Sequence, residues 1–441
     1  MSRSIQRSFS ILSYLFVLVL LSGCFSFSNS SDSEKMIEQS NEPVSLVVAA
    51  YLPRQLFSTF ISEPVKKKYP NIDLVYQPLN SPDVFRETEP SVMPDLILDV
   101  DRLFIPSTKP DKWNYDLSIE LGARNFDLSR FQPDLIDRIA SFGEQGQFLS
   151  LPLFRFNFAL NYNKEIFDLF EVPYPKDGLT WDEVIDLSRK FAEPKDGVRY
   201  TGFDPILDGT IAVTYLDQRS LTALNPQSNE PIVTSPEWKT AVRSWKSIFD
   251  SDREIWNMDH GTNYSFLLGR AAMTISSNLS MSMLPEGYSK IRNYDLATYP
   301  RMSSDSNFGA ASRVFMLSFL PNNHNMKASF EVAEYLVSDE MQSFLSRSGF
   351  ISVLQNEDIQ QEYASGVEYA SGKNIAALSK LPEVPYTRAS KYEAAFLEKM
   401  LIMMNGIGMN PETNLDETLL GFEQTIKDQL PALMNTLQAE E

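Results

Sequence analysis

"GQFLSLPLFRFNFALNYNKEIFDLFEVPYPKDGLTWDEVIDLSRKF", residues 146–191, changes its periodicity part-way along. Phe154, Phe156 and Phe158 alternate with Arg155 and Asn157, the two-residue period of a half-buried strand. From Thr180 the period becomes helical. Thr180 stands as N-cap with Glu183 three residues on, a capping box, and Val184, Leu187 and Phe191 then share one face. A strand leading to a capped helix is the unit from which α/β sheets are assembled.

The same alternation extends in both directions. "VSLVVAAYL" (44–52) reads as a buried strand. "QLFSTFISEPVKKKY" follows with helix-like spacing of Leu56, Phe60 and Val65. "NIDLVYQPL" (71–79) alternates at Ile72, Leu74 and Tyr76, and "PDLILDV" (94–100) is a third strand. Downstream, "SPEWKTAVRSWKSIFD" (235–250) has Ser235 as N-cap and Pro236 at the first helical position. Its stripe of Trp238, Val242, Trp245 and Phe249 is expected in the core. "RAAMTISS" (270–277) and "SRVFMLSFL" (312–320) read as strands, and 325–349 as two helices broken near Ser338 and stopped by Gly349. The fold class is therefore α/β.

The first 43 residues follow another logic. Arg3 and Arg7 precede an apolar run from Ile11 to Leu21, and Ser22 and Gly23 lead to Cys24, the only cysteine of the chain. That order is a secretory signal peptide over 1–23; a spanning helix needs about 18 apolar residues or more. "LSGC" resembles the bacterial lipobox, which implies that Cys24 receives a lipid and becomes the first residue. Two acyl chains hold a protein stably on a membrane. Residues 24–43, rich in Ser, Asn and charge, read as a flexible tether.

The remaining length suits two or three ordinary domains, and 43% hydrophobic and 12% aromatic residues supply large cores. A net charge of −19 without a basic stripe argues against nucleic acid as a partner. With His260 and His324 as the only histidines and no paired cysteines, no metal site or cofactor is expected. No G-x-S-x-G elbow occurs. "GVEYASGKN" (366–374) fails as a phosphate loop: five residues separate Gly366 from Gly372 where four are needed, and Asn374 follows Lys373.

Several stretches together resemble the extracellular solute-binding proteins of ABC importers, in particular the maltose-type, carbohydrate-binding cluster. "VKKKYPNIDLVYQ" and "PDLILDVD" resemble the family's first strands. In 146–191, Pro152, Tyr162, Asn163, Lys164, Phe167, Pro175, Thr180, Trp181, Asp182 and Glu183 fill its most specific pattern. "FLLGRAAMTISSN" resembles its Phe-x-x-Gly-x-x-Ala-Met strand, and 325–353 its late helix pair. The resemblance covers about 44–430. It implies a two-lobe periplasmic-binding-protein type II fold with hinge strands between the lobes: lobe one 44–153 plus 310–356, lobe two 156–308 plus 357–441. It implies a monomer without catalytic residues, lipid-anchored on the outer face of the cytoplasmic membrane. Such a protein captures a sugar or oligosaccharide between its lobes and delivers it to a membrane permease.

Ligands of open α/β sheets lie beyond the carboxyl ends of strands. That rule and the resemblance together point to Tyr51, Asp99, Asp101, Phe154, Arg155, Asn157, Asn278, Asn307, Phe308 and Arg388. Aromatic rings offer flat faces to sugars, and Asp, Asn and Arg offer planar groups to hydroxyl pairs. Maltose-type members often carry an acidic residue at the first crossing and a tryptophan after the Met-Thr-Ile strand. Phe156 or Asn157 and Asn278 or Leu279 stand there here, so the resemblance does not carry maltodextrin specificity across. The alternatives are the same fold with a non-sugar solute such as a peptide or polyol, a sensor lipoprotein, and an exported glycosidase using Asp99 and Asp101.

Overall fold

The computed structural model describes residues 42–79, 93–101, 114–143, 146–205, 210–249, 265–278, 291 and 293–438. The signal sequence and Cys24 lie outside the described residues. Strands β1 (Val44–Ala50), β2 (Ile72–Pro78), β3 (Leu96–Val100), β4 (Ser150–Phe156) and β9 (Arg313–Phe319) form one sheet. Strands β5 (Phe158–Asn163), β6 (Thr201–Asp204), β7 (Ala271–Ser277) and β8 (Tyr294–Thr298) form another. The orders are β2-β1-β3-β9-β4 and β6-β7-β5-β8. In sheet one, β1 runs parallel to β2 and β3, and β9 lies antiparallel between β3 and β4. In sheet two, β6 runs parallel to β7, and β5 lies antiparallel between β7 and β8.

Burial explains the strand sequences. Every residue of β3 and of β9, both interior strands of this mixed sheet, is buried, and both read as near-continuous apolar runs. β2, at the edge, alternates instead and leaves Val75 exposed. The connection from β1 to β2 is helical over Arg54–Phe57, passes a π-turn at Ser58–Ser62 and continues over Glu63–Lys68. Phe57, Ile61 and Val65, four residues apart, are its buried stripe; of the expected Leu56, Phe60 and Val65 only Val65 belongs to it, and Leu56 and Phe60 are partly buried beside it. Lys66, Lys67 and Lys68 occupy its last turn, where cations suit the helix dipole.

The expected caps are present. Thr180 and Glu183 make a reciprocal capping box for Trp181–Ser188. Ser235 accepts from the Trp238 N–H at the start of Pro236–Ile248, and Ser338 from the Met341 N–H at the start of Asp339–Arg347. Gly349 adopts φ +92° directly after that helix, a region that favours glycine.

Elements beyond those expected complete the body. β6 and β8 are short, helices Thr210–Asp217 and Leu397–Met409 lack a narrow apolar stripe, and Leu415–Gln438 buries Leu419, Phe422, Ile426 and Leu430 along one face. Leu397–Met409 packs on Pro236–Ile248: Trp245 Nε1 donates to Met404 O at 2.8 Å, and the Phe249 ring lies where a Cβ on Gly408 would sit. Trp238 and Trp245 are buried, as their spacing predicts.

Trp245 also meets Tyr215 and Phe249, with ring centroids 4.9 and 5.3 Å away. Trp245→Ala is expected to destabilise the protein by about 4 kcal/mol, read as a lower midpoint in urea unfolding.

Candidate functional site

β4 ends at Phe156 and β5 begins at Phe158, so the single residue Asn157 makes the first crossing between the two sheets. Its backbone polar groups have lost both ladders and need other partners. Asn278, directly after β7, supplies them. Asn278 Oδ1 accepts from the Asn157 N–H at 2.8 Å, and the Asn278 N–H donates to Asn157 O at 3.0 Å. Asn278 Nδ2 then donates to Gly349 O at 2.8 Å, and Asn157 Nδ2 to Leu378 O at 2.8 Å. Arg155 and Ile351 exchange backbone hydrogen bonds at 2.8 and 3.1 Å. The return segment thus lies against the first crossing.

A strap over 378–386 ties the other crossing down. The Gly309 N–H donates to Pro382 O at 2.9 Å, and a Cβ on Gly309 would lie 3.2 Å from Leu381 Cβ. Glu383 pairs with Arg155 Nη1 at 3.0 Å through one oxygen. Its other oxygen accepts from the Ser312 N–H at 3.2 Å and from Ser312 Oγ at 2.6 Å. Asn157, Phe158, Tyr299, Gly309 and Leu381 line a small niche under this strap. The buried Asn157 Oδ1 and Tyr299 hydroxyl, on two residues lining that niche, have no hydrogen-bond partner. Polar groups placed in an apolar concavity are what orient a bound solute.

A second cluster is ionic. Asp101 follows β3, is fully buried, and pairs with Arg138 of helix Pro133–Ala140; its Oδ1 also accepts from the Val314 N–H at 2.8 Å. Arg138 Nη1 donates to Ser312 O at 3.1 Å, and its guanidinium lies over the Tyr386 ring. Arg313, the first residue of β9, pairs with Asp217 at 2.7 Å. Asp99, two residues before Asp101, has a buried Oδ1 without a partner. Burial, and then the charge of Asp101, push the Asp99 carboxyl well above the usual carboxylate range.

The ten expected residues fall into two groups. Asn157 and Asn278 are brought into direct contact, and Arg155 lies beside them with its charge taken by Glu383. Phe154 is completely buried, its ring against Phe315 and Phe350. Asp99 and Asp101 are buried at the end of β3. Tyr51, Asn307, Phe308 and Arg388 are exposed. Sequence reading missed Arg138, Asp217, Arg313 and Glu383. A lone charge opening an apolar strand, as in "SRVFMLSFL", was the available signal for Arg313, since a buried charge requires a partner.

The bacterial extracellular solute-binding protein family matches residues 50–343. The chain belongs to that family. Comparison with curated proteins finds no match. Among solved structures, an ABC substrate-binding protein from Listeria monocytogenes in complex with cycloalternan is similar at a TM-score of 0.72 and 16% identity, over 88% of this chain and 100% of that one. A solute-binding protein from Agrobacterium radiobacter in complex with ribitol gives 0.68 and 15%, over 88% and 100%. A maltose-bound protein from T. maritima gives 0.63 and 15%, over 87% and 99%. The shared architecture is the two-lobe α/β fold of solute-binding proteins, and two sheets are present here. No helix among the described residues is long and apolar enough to cross a membrane. The described residues also contain no group of three or more potential metal-ligating side chains.

Two substitutions probe this joint. Asn278→Ala leaves the Asn157 N–H and Gly349 O unpaired and is expected to lower stability by about 2–3 kcal/mol in urea unfolding. Asp99→Asn tests the raised carboxyl. The native state keeps that proton where the unfolded chain, titrating near roughly 3.9, has lost it. Native stability therefore falls as pH rises above that value, until the native pKa is passed. The variant should match the parent in acid and gain on it as pH rises, measured as urea midpoints across a pH series.

Proposed function

We propose that this chain is a lipid-anchored receptor that captures a sugar or oligosaccharide between its lobes and delivers it to an ABC importer. The observation that carries this reading is the family membership, joined to the ligands of the similar structures. Cycloalternan, ribitol and maltose are all polyhydroxylated. Lobe one would comprise 44–153 plus 310–356 and lobe two 156–308 plus 357–441, with Cys24 as anchor. The lobes would close over the solute because the closed form binds it better. Membrane anchoring would hold the monomeric receptor near its permease at high effective concentration.

Ligand contact falls to the exposed members of the expected set. Tyr51 at the carboxyl end of β1 and Phe308 at the second crossing offer ring faces, and Asn307 and Arg388 offer hydrogen-bonding groups. Asp99, Asp101, Phe154, Arg155, Asn157 and Asn278 position the lobes. Binding without chemistry is favoured over glycoside hydrolysis. Hydrolysis needs two carboxylates flanking the substrate, about 5–10 Å apart, whereas Asp99 and Asp101 lie buried on one strand end and Asp101 is held by Arg138. The ribitol-bound relative supports a linear polyol as a second reading.

Thermal unfolding of the protein against mono- and oligosaccharides, alditols, amino acids and peptides tests this. A true ligand at 100 times its Kd should add about 2.7 kcal/mol of stability. A shift confined to peptides or amino acids would overturn the carbohydrate reading.

A further inference from the structure

Two buried polar atoms are left over where the crossings meet. Asn157 makes the first crossing. Asn278 takes its N–H and its carbonyl, and its Nδ2 donates to Leu378 O at 2.8 Å, so only Oδ1 lacks a partner. The bond to Leu378 O also fixes which way the amide points, because a carbonyl oxygen can only accept. Tyr299 directly follows β8, on the way to the second crossing, and its hydroxyl lacks a partner as well. The Tyr299 ring is held in place. Trp181 stands edge-on to it with ring centroids 5.5 Å apart. Trp181 Nε1 donates to Gln218 Oε1 at 3.1 Å, and Gln218 Nε2 donates to Pro300 O at 2.8 Å. Asn157 and Tyr299 are 8% and 2% exposed, and both line the niche under the strap. Folded proteins leave very few such buried groups unpaired. The two oxygens do not bond each other directly, so a third group has to lie between them.

We propose that the niche holds one ordered water, which donates to Asn157 Oδ1 and accepts from the Tyr299 hydroxyl, and so joins the two crossings. The niche leaves about 10 Å³ for the centre of a water-sized molecule, at the lower end of the roughly 10–15 Å³ that one water needs. A sugar ring has no room there. An anion would meet Asn157 Oδ1, which only accepts, and the Glu383 carboxylate, which also lines the niche. A metal ion would find two neutral oxygens, because both Glu383 oxygens are committed to Arg155 and Ser312. The charges of Arg219 and Arg313 also act on the Tyr299 hydroxyl and disfavour a cation beside it. A bridging water is nearly as favourable as a direct bond, and it can turn to follow small shifts of its two partners. The inference goes beyond the sugar reading and holds whichever solute is bound.

The test uses the full chain with Cys24→Ser, so that it is obtained without a lipid. Its crystal structure, from crystals grown without ammonium salts or sugar and at a resolution that shows waters, should place a water within hydrogen-bond distance of Asn157 Oδ1 and the Tyr299 hydroxyl. Tyr299→Phe removes one of the water's partners, so its urea midpoint should fall below the parent's. An unbridged hydroxyl gives the opposite sign, because deleting an unpaired buried polar group is neutral or stabilising. No water between the two oxygens, or a folded Tyr299→Phe with an equal or higher midpoint, would overturn the inference. Should Tyr299→Phe fail to fold, the parent structure decides alone. The thermal shifts with sugars are a separate measurement, so either reading can fail without the other.

Discussion

The side-chain amide of Asn278 is the interaction on which the two-lobe arrangement depends. Asn157 has a place in neither ladder, and a peptide unit stripped of partners in a buried position would not be tolerated. Asn278 satisfies it from the end of β7 and reaches the segment that follows the late helix pair through its remaining donor. One residue thus holds the first crossing between the sheets and ties the return chain to it. The strap through Pro382 and Glu383 repeats this solution at the second crossing, again through hydrogen bonds.

The buried pairs Asp101–Arg138 and Arg313–Asp217 sit within an apolar core that runs through both sheets, where stability alone does not call for ion pairs. Well-packed apolar side chains usually stabilise a protein as well as a buried ion pair does, or better. They would also resist separation, because parting them exposes apolar surface to water. Charged groups recover hydration when parted. Of the two pairs, Arg313–Asp217 joins β9 to the helix after β6, whereas Asp101 and Arg138 both belong to the segment before β4. The aromatic packing around Trp181, Tyr215 and Trp245 stays inside one lobe, where no release is required.

Much of the fold was legible because it is written in local signals. Thr180 and Ser235 mark helix starts by their own hydrogen bonds, and Trp238, Val242, Trp245 and Phe249 repeat at helical spacing. The short strands β6 and β8 and the C-terminal helices were not legible, since their burial comes from distant partners such as Trp245 on Met404. The candidate site was legible only in part. Proximity to strand ends located Asn157 and Asn278, but no local pattern says that Asp101 is taken by Arg138 or that Arg155 meets Glu383. Such pairings join residues far apart in sequence, and a charge looks the same in the sequence whether it faces a solute or another charge.

The placement of β9 has a consequence for how the chain is made. β9 is an interior strand of sheet one, with Asp99 opposite Met316 on one side and Leu151 opposite Leu317 on the other. Until residues 313–319 arrive, β3 and β4 have no strand between them, and their facing edges stay unpaired. Pairings that close such long loops form slowly. Sheet one therefore cannot close until all four strands of sheet two have been synthesised. Sheet one thus stays open through most of the chain's synthesis, and its core closes only when β9 inserts.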